Sequence, residues 1–199
     1  MLSEAKSASG GKKLFLFMMV SVDGYIEGEN HDLSWHNADN KEFNDYAIEQ
    51  TKNTGILLFG RHTYELMRDF WPSDVARKTD PIVAELMNNT PKVVFSTSLE
   101  KVEETEYWKN VRLIKDNIAE EIKKLKEESG KDVAVYGSNN LCVTLLEMGL
   151  LDELRIMVNP VVIGSGTPLF KGIKNKLSLQ LLTTKVFKNG NVLLAYKPQ

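Results

Sequence analysis

Apolar residues in this chain fall into two kinds of run. Six runs are short, continuous and rich in β-formers: residues 14–20 (LFLFMMV), 55–59, 92–96, 111–114, 133–136 and 154–159. An apolar run without alternation predicts a strand covered on both faces. Between these runs the apolar spacing changes to three and four. Phe43, Ala47 and Ile48 mark a helix over 41–52, with a shorter one at 63–68. Ile82, Val83 and Leu86 predict a helix over 81–88. Ile118, Ile122 and Leu125 mark another, with Asp116 or Asn117 as its cap and Glu120 and Lys124 able to pair on its wet face. Leu141, Leu145 and Met148 mark the last helix, closed by Gly149. The chain finishes with a run at 177–187, the turn Lys188-Asn189-Gly190-Asn191, and a run at 192–196. Asn-Gly between apolar runs is a hairpin signal. The pattern predicts an α/β domain, a mixed central sheet flanked by helices and ending in an antiparallel C-terminal hairpin. Residues 1–12 are small, polar and Gly-rich and predict a disordered tail, leaving 13–199 as a single domain.

Composition narrows the classes of function. The chain has 199 residues, the scale of one domain at about 150 residues each. Its net charge of −2 argues against nucleic acid or an anionic membrane as partner. The run 14–20 falls short of the roughly 20 residues that span a bilayer. One cysteine, Cys142, allows no internal disulfide, and with three scattered histidines (His31, His36, His62) it offers no metal cluster. A reducing cytoplasm is the expected compartment.

Common catalytic signatures are missing: GxGxxG after a strand, GxxxxGK[ST], HExxH and GxSxG do not occur. Four segments remain, each at the end of an expected strand, where open α/β sheets bind ligands. Ser21-Val22-Asp23-Gly24-Tyr25-Ile26-Glu27-Gly28 carries two glycines that permit close approach to a flat ligand, or simply form a turn. Gly60-Arg61-His62-Thr63-Tyr64-Glu65 reads equally as a phosphate clamp at a helix start or as a helix capped by Thr63 with solvated Arg61 and His62. Ser96-Thr97-Ser98 offers hydroxyls to a ribose or adenine edge, or ends a strand. Gly137-Ser138-Asn139-Asn140-Leu141 opens a helix with two N-cap types, a natural place for a pyrophosphate. A later loop with Gly164 and Gly166 either walls a substrate pocket or is a crossover.

In order, Val22-Asp23 with Ile26, then Leu33-Ser34-Trp35, then the Gly60–Glu65 hexapeptide resemble the dihydrofolate reductase pattern. Gly137-Ser138, Leu150-Leu151-Asp152-Glu153-Leu154 and the stretch from Pro160 to Phe170 (PVVIGSGTPLF) resemble the reductase domain of bacterial riboflavin biosynthesis, which shares that fold. Together they look like a stand-alone, dihydrofolate-reductase-like member of that reductase family, over about residues 13–197. The resemblance implies an NADPH site. Gly60, Arg61, His62 and Thr63 would hold the 2′-phosphate side, and Ser96, Thr97 and Ser98 the adenosine. Gly137, Ser138, Asn139, Asn140 and Leu141 would take the pyrophosphate; Val20, Ser21, Asp23, Gly24 and Ile26 would edge the nicotinamide. Trp35, Asn44, Ile48, Gly164 and Gly166 would face the substrate.

The activity implied is reduction of 5-amino-6-(5-phosphoribosylamino)uracil, with hydride delivered to the sugar carbon of an opened imine. Asp23 and Glu27 are the candidate proton donors, against the reading of surface turn carboxylates. Dihydrofolate reduction is the alternative, as is a non-catalytic nucleotide-binding protein that kept the fold. Dihydrofolate reductases carry a carboxylate on the first helix. Counting back from Gly60 puts Asn44 there, while Asp45 is rotated by about 100°. The resemblance also implies a homodimer.

Overall fold

The computed structural model describes residues 12–38 and 40–199. The expected N-terminal tail lies, but for its last residue, outside the described residues. In chain order the strands and helices are β1 (Leu14–Val20), β2 (Tyr25–Glu27), α1 (Lys41–Lys52), β3 (Thr54–Gly60), α2 (Arg61–Phe70), α3 (Asp74–Thr79), α4 (Pro81–Asn89), β4 (Lys92–Phe95), β5 (Val111–Ile114), α5 (Ile118–Glu128), β6 (Asp132–Val135), α6 (Asn139–Glu147), β7 (Glu153–Val158), β8 (Thr167–Pro168), β9 (Leu179–Val186) and β10 (Val192–Pro198). A 3₁₀ turn, Glu29–His31, follows β2.

Eight strands form one sheet in the order β5-β4-β3-β6-β1-β7-β10-β9. The first six are joined in parallel, and β10 runs against both its neighbours. The expected mixed sheet and closing hairpin are therefore present. Strand β1 is apolar at every position because both its faces are covered. Leu14 and Leu16 join Ile122 and Leu125 of α5 and Leu141, Cys142 and Leu145 of α6. Phe15 and Phe17 turn the other way, toward Tyr64 of α2, Val83 and Met87 of α4, and Ala47 and Ile48 of α1. Cys142 is fully buried, and burial pushes its thiol up to about 12.

Two details differ from expectation. Asn117 does not cap α5 with its side chain; it sits in the left-handed region at φ 53°. Helix α3 and the small sheet of β2 and β8 were not expected. With six, three and two residues, these elements carry too little apolar periodicity to be seen.

Buried Lys92 is the structural exception. Its ammonium donates to the carbonyls of Asn88, Thr90 and Lys109 at 2.7, 2.7 and 3.0 Å and lies 4.4 Å from the Trp108 ring centre. It ties the end of α4 to the segment entering β5. Burial pulls this amine down to about 7.

Candidate functional site

Parallel strands bring the carboxyl ends of β1, β3, β4, β6 and β7 to one edge of the sheet. Gly60 ends β3 and is the residue before α2; Gly137 and Ser138 join β6 to α6. These two turns touch. The Gly60 N–H donates to the Gly137 carbonyl at 2.7 Å. Gly137 is buried at φ +112°, and a Cβ there would come within 2.8 Å of Thr63 Oγ1. The Gly137–Ser138 peptide is cis.

Among the described residues no side chain caps α2, α4, α5 or α6, whereas Asn40 caps α1 and Ser73 caps α3; of the uncapped starts, those of α2 and α6 adjoin the touching turns. The expected cap by Thr63 is corrected: the helix starts at Arg61, directly after the strand, and Thr63 lies within its first turn. Ser138 occupies the cap position of α6 but its hydroxyl makes no capping bond. Two uncapped helix starts side by side present free N–H donors and two positive dipole ends, which suits a diphosphate.

Arg61 stands at this edge, exposed. Its Nε meets Glu65 Oε1 at 2.9 Å and its Nη1 donates to Ser98 Oγ at 3.2 Å. Ser96 Oγ accepts from the Ser98 and Leu99 N–H groups, and Thr97 is exposed beside them. The second and third segments of the sequence reading thus form one patch. Two side chains of the fourth face inward, leaving only their backbone N–H groups at the start of α6. The buried Asn139 side-chain amide donates to the carbonyls of Pro168 and Leu169 at 3.2 and 2.6 Å, so it anchors β8. Leu141 is 6% exposed and belongs to the core. Asn140 is exposed.

The loop after β1 is laced to the loop after β7. Val22 N–H donates to the Val161 carbonyl at 2.8 Å and Leu169 N–H to the Gly24 carbonyl at 3.0 Å. Val20 and Ser21 are buried at the base, Ser21 Oγ accepts the Tyr25 N–H, and Ile26 packs on the core. Gly166, at φ +140°, lies directly against the Glu27 carbonyl, a contact no side chain could share. Asp23 accepts from the N–H of Gly164 at 2.8 Å and of Ile163 at 3.3 Å. Hydrogen bonding from Ser21, then from these N–H groups, holds the Asp23 carboxyl below its usual range. Asp23 thus latches the loop after β1 to the loop after β7. Glu27 also has both oxygens engaged, by Thr167 Oγ1 at 2.7 Å and His31 Nδ1 at 2.9 Å.

Across the edge, the His31 ring stacks on His62 of α2 with centroids 5.5 Å apart. Asn30 and His31 both adopt left-handed backbone, φ 56° and 61°, at a cost of roughly 1–2 kcal/mol each. Trp35 is half-buried, edge-on to His36 at 4.5 Å, and donates its indole N–H to the Asp32 carbonyl. Burial holds the His36 imidazole below its usual value, while the Ile26 carbonyl acts the other way. Asn44 and Ile48 are half-buried on α1, and Asp45 is exposed and paired with Lys41 at 2.7 Å, as the helical rotation predicts. Gly164 is exposed and held by Asp23. A cavity of about 440 Å³ lined by Phe15, Tyr46, Gln50, Glu153 and Arg155 lies at the opposite end of the strands, away from these groups.

Sequence reasoning missed Thr167, His31 and a knot of asparagines. Asn37 bonds to Asn159 Oδ1 and to the Asn189 carbonyl, while Asn189 and Asn191 donate back to the Asn37 carbonyl. They tie the closing hairpin to the loop before α1. The expected partner of Lys124 is also different: it pairs with Glu121 at 2.6 Å, not with Glu120.

A parallel-centred sheet with one reversed strand near its edge is the dihydrofolate-reductase-like fold. The chain belongs to the RibD C-terminal domain family, whose model matches residues 12–193. It is 32% identical over 186 residues to the uncharacterized protein YyaP of Bacillus subtilis (strain 168), covering 93% of this chain and 94% of that one. Among solved structures it is similar to a deaminase/5-amino-6-(5-phosphoribosylamino)uracil reductase of Thermotoga maritima (TM-score 0.67, 18% identity), covering 95% of this chain and 57% of that one. It is also similar to dihydrofolate reductase from Enterococcus faecalis complexed with NADP(H) (TM-score 0.63, 17% identity), covering 94% of this chain and 96% of that one.

Proposed function

We propose that the chain is an NADPH-dependent reductase of a small heterocycle, in its most specific form 5-amino-6-(5-phosphoribosylamino)uracil. The observation that carries this reading is the contact between the two uncapped helix starts of α2 and α6, with Arg61 beside them. A diphosphate needs several fixed N–H donors at once, and few loops offer two such sets. Arg61 with Ser98 would hold the 2′-phosphate, and Ser96 and Thr97 would border the adenosine. Gly137 and Ser138 would admit the diphosphate by their backbone. Val20, Ser21, Gly24 and Ile26 would edge the nicotinamide, leaving Trp35, Asn44 and Ile48 for the substrate. NADPH supplies a hydride when bound; the imine carbon accepts it and the imine nitrogen accepts a proton. The chain's own part is to orient both partners and exclude water with the laced loops. Asn44, an amide, cannot carry the proton of a carboxylic acid, which favours this substrate over dihydrofolate.

The reading places the protein in the cytoplasm; no described helix is long and apolar enough to cross a membrane. It also makes the protein a homodimer. Val158, Val192 and Val186 lie in cross-strand register on β7, β10 and β9, next to Ile156, Leu194 and Thr184. Val186 is 71% exposed and Leu181 52%, an apolar face suited to a second copy. Val186→Glu should halve the mass seen by light scattering to that of one 22.5 kDa chain; an unchanged mass overturns this seam.

The deciding experiment follows NADPH oxidation with the ribosylamino-pyrimidine and with dihydrofolate. Turnover of the first alone is expected. NADPH binding with no turnover of either assigns a nucleotide-binding protein instead.

A further inference from the structure

We propose that the cavity at the amino ends of the strands binds a small monocarboxylate with an apolar body, received by Arg155; this site stands apart from the cofactor edge and does not rest on it. The cavity, about 440 Å³, opens between the last turns of α1, which contribute Tyr46 and Gln50, and a floor of Phe15 from β1, Arg155 from β7, and Leu193 and Ala195 from β10. Its size falls within the roughly 300–1,000 Å³ of small-molecule sites. Side chains alternate along a strand. The dimer seam proposed above uses the face of Ile156 and Leu194, so it leaves the face of Arg155 and Ala195 free.

Arg155 is fixed before any ligand arrives. Its guanidinium lies 3.7 Å from the Phe15 ring centre. Its Nε donates to Glu153 Oε1 at 2.7 Å and its Nη1 to Gln50 Oε1 at 3.3 Å. Glu153 and Gln50 are both buried, and both are engaged in turn. Glu153 Oε2 meets Lys13 Nζ at 3.0 Å. Gln50 Oε1 also accepts from Tyr46 Oη at 2.7 Å, and Gln50 Nε2 donates to Tyr136 Oη at 3.3 Å. Among the described residues Arg155 Nη2 has no hydrogen-bond partner, and it is not buried; it is the edge of the fork left to the cavity. Apolar side chains in place of Arg155 and Glu153 would hold the sheet as well or better, so packing does not account for this charge. A guanidinium already anchored on two sides loses little freedom when a ligand arrives.

The chemistry of the free group names the ligand. A guanidinium only donates, and it keeps its charge at every working pH, so its partner is an acceptor and best an anion. The charge balance decides which anion. Lys13 and Arg155 against Glu153 leave one positive charge at the floor. Glu49 and Asp132 also line the cavity, with Asp132 accepting the Lys13 backbone N–H at 3.0 Å. Their charges repel a dianion such as phosphate more than a singly charged carboxylate. The rest of the lining is apolar: Leu193, Ala195 and the Tyr46 ring suit a ring or short chain, and Ala195, with only a methyl, leaves the space for it. A carboxylate joined to a small apolar body meets all of these conditions.

The test is titration of the full chain with benzoate and with its neutral isostere benzamide, at pH 7 and fixed ionic strength, followed by NMR. Benzoate should bind at least about 10-fold more tightly than benzamide, the scale of one charge-assisted hydrogen bond, and inorganic phosphate should not displace it. Arg155→Met should weaken benzoate about 10-fold or more and leave benzamide unchanged. That variant leaves Glu153 with Lys13 alone and can fail to fold, so Ala195→Leu serves beside it: it fills the space, keeps every charge, and should abolish benzoate binding. Arg61→Ala should bind benzoate as the wild type does, which separates this site from the cofactor edge. Equal affinity for benzoate and benzamide, displacement by phosphate, benzoate affinity unchanged in Arg155→Met or Ala195→Leu, or benzoate binding lost in Arg61→Ala each overturns the site. So does no binding of benzoate at tens of millimolar.

Discussion

Replacing Gly60 by alanine tests whether the two helix starts must touch. Gly60 is extended, φ −80° and ψ 169°, a conformation alanine adopts freely, so the effect is purely steric. The new methyl would lie 2.9 Å from the Ser138 nitrogen and 3.2 Å from its Cβ, and closer still to its Oγ. The hydroxyl can rotate away. The nitrogen cannot, since its peptide is pinned by the bond from Gly60 N–H to the Gly137 carbonyl. Reaching ordinary contact requires the 137–138 turn to retreat by about 0.5 Å. Overpacking of this kind costs about 1–3 kcal/mol, which for a chain of this size lowers the melting temperature by roughly 2–12 °C.

The retreat also separates the two sets of N–H donors. Losing one bond to a charged phosphate, about 1.5–3 kcal/mol, weakens NADPH binding about 10- to 100-fold. Thermal unfolding without ligand and calorimetric titration with NADPH measure the two effects separately. Adding Ser138→Gly removes the Oγ and Cβ but leaves the nitrogen, so it should restore part of both losses. An unchanged melting temperature refutes the packing geometry. A lowered melting temperature with unchanged NADPH affinity refutes the diphosphate site.

Three further outcomes are expected. Arg61→Ala should weaken NADPH binding about 10- to 100-fold, by loss of a charge-assisted contact, and NADH binding far less; equal losses measured by titration contradict its 2′-phosphate role. Asn44→Asp should raise dihydrofolate turnover above wild type, because it restores a carboxylate on the half-buried face of α1; no gain in a steady-state assay places the pteridine elsewhere. Lys92→Met strands three carbonyls and should cost about 2–4 kcal/mol in chemical denaturation at pH 7. The folded amine titrates near 7 and the unfolded one near 10.5, so the unfolded chain binds the extra proton between those values. Wild-type stability should therefore rise with pH across that window, and the variant's should lack that rise.

The apolar runs located all eight main-sheet strands within two residues, because continuous apolar sequence, buried in the central strands, leaves a direct mark on composition. The start of α2 was placed two residues late because Thr63 looks like a cap, while the actual turn uses Gly60 in extended conformation. The turns gathering Gly60, Arg61, Ser98 and Gly137 were legible, since each ends an apolar run. The side chains of Asp23 and Asn139 each hold a distant loop. Whether a polar side chain faces a ligand or a neighbouring loop depends on contacts across about 30 to 140 positions, which no local spacing encodes. The same holds for Glu27, His31 and Thr167, and for the asparagine knot.

The sheet order carries a consequence for biogenesis. β1 is flanked by β6 and β7, so Leu14 must meet Val133 and Phe15 must meet Glu153. The most water-averse segment of the chain is thus synthesised first and paired late. At about 5–20 residues per second, more than 110 residues of translation leave it without either neighbour for roughly 5 to 25 s. The nascent chain therefore carries an unpartnered seven-residue apolar segment throughout that interval, and expression of this protein should respond to the supply of chaperones that shield such segments.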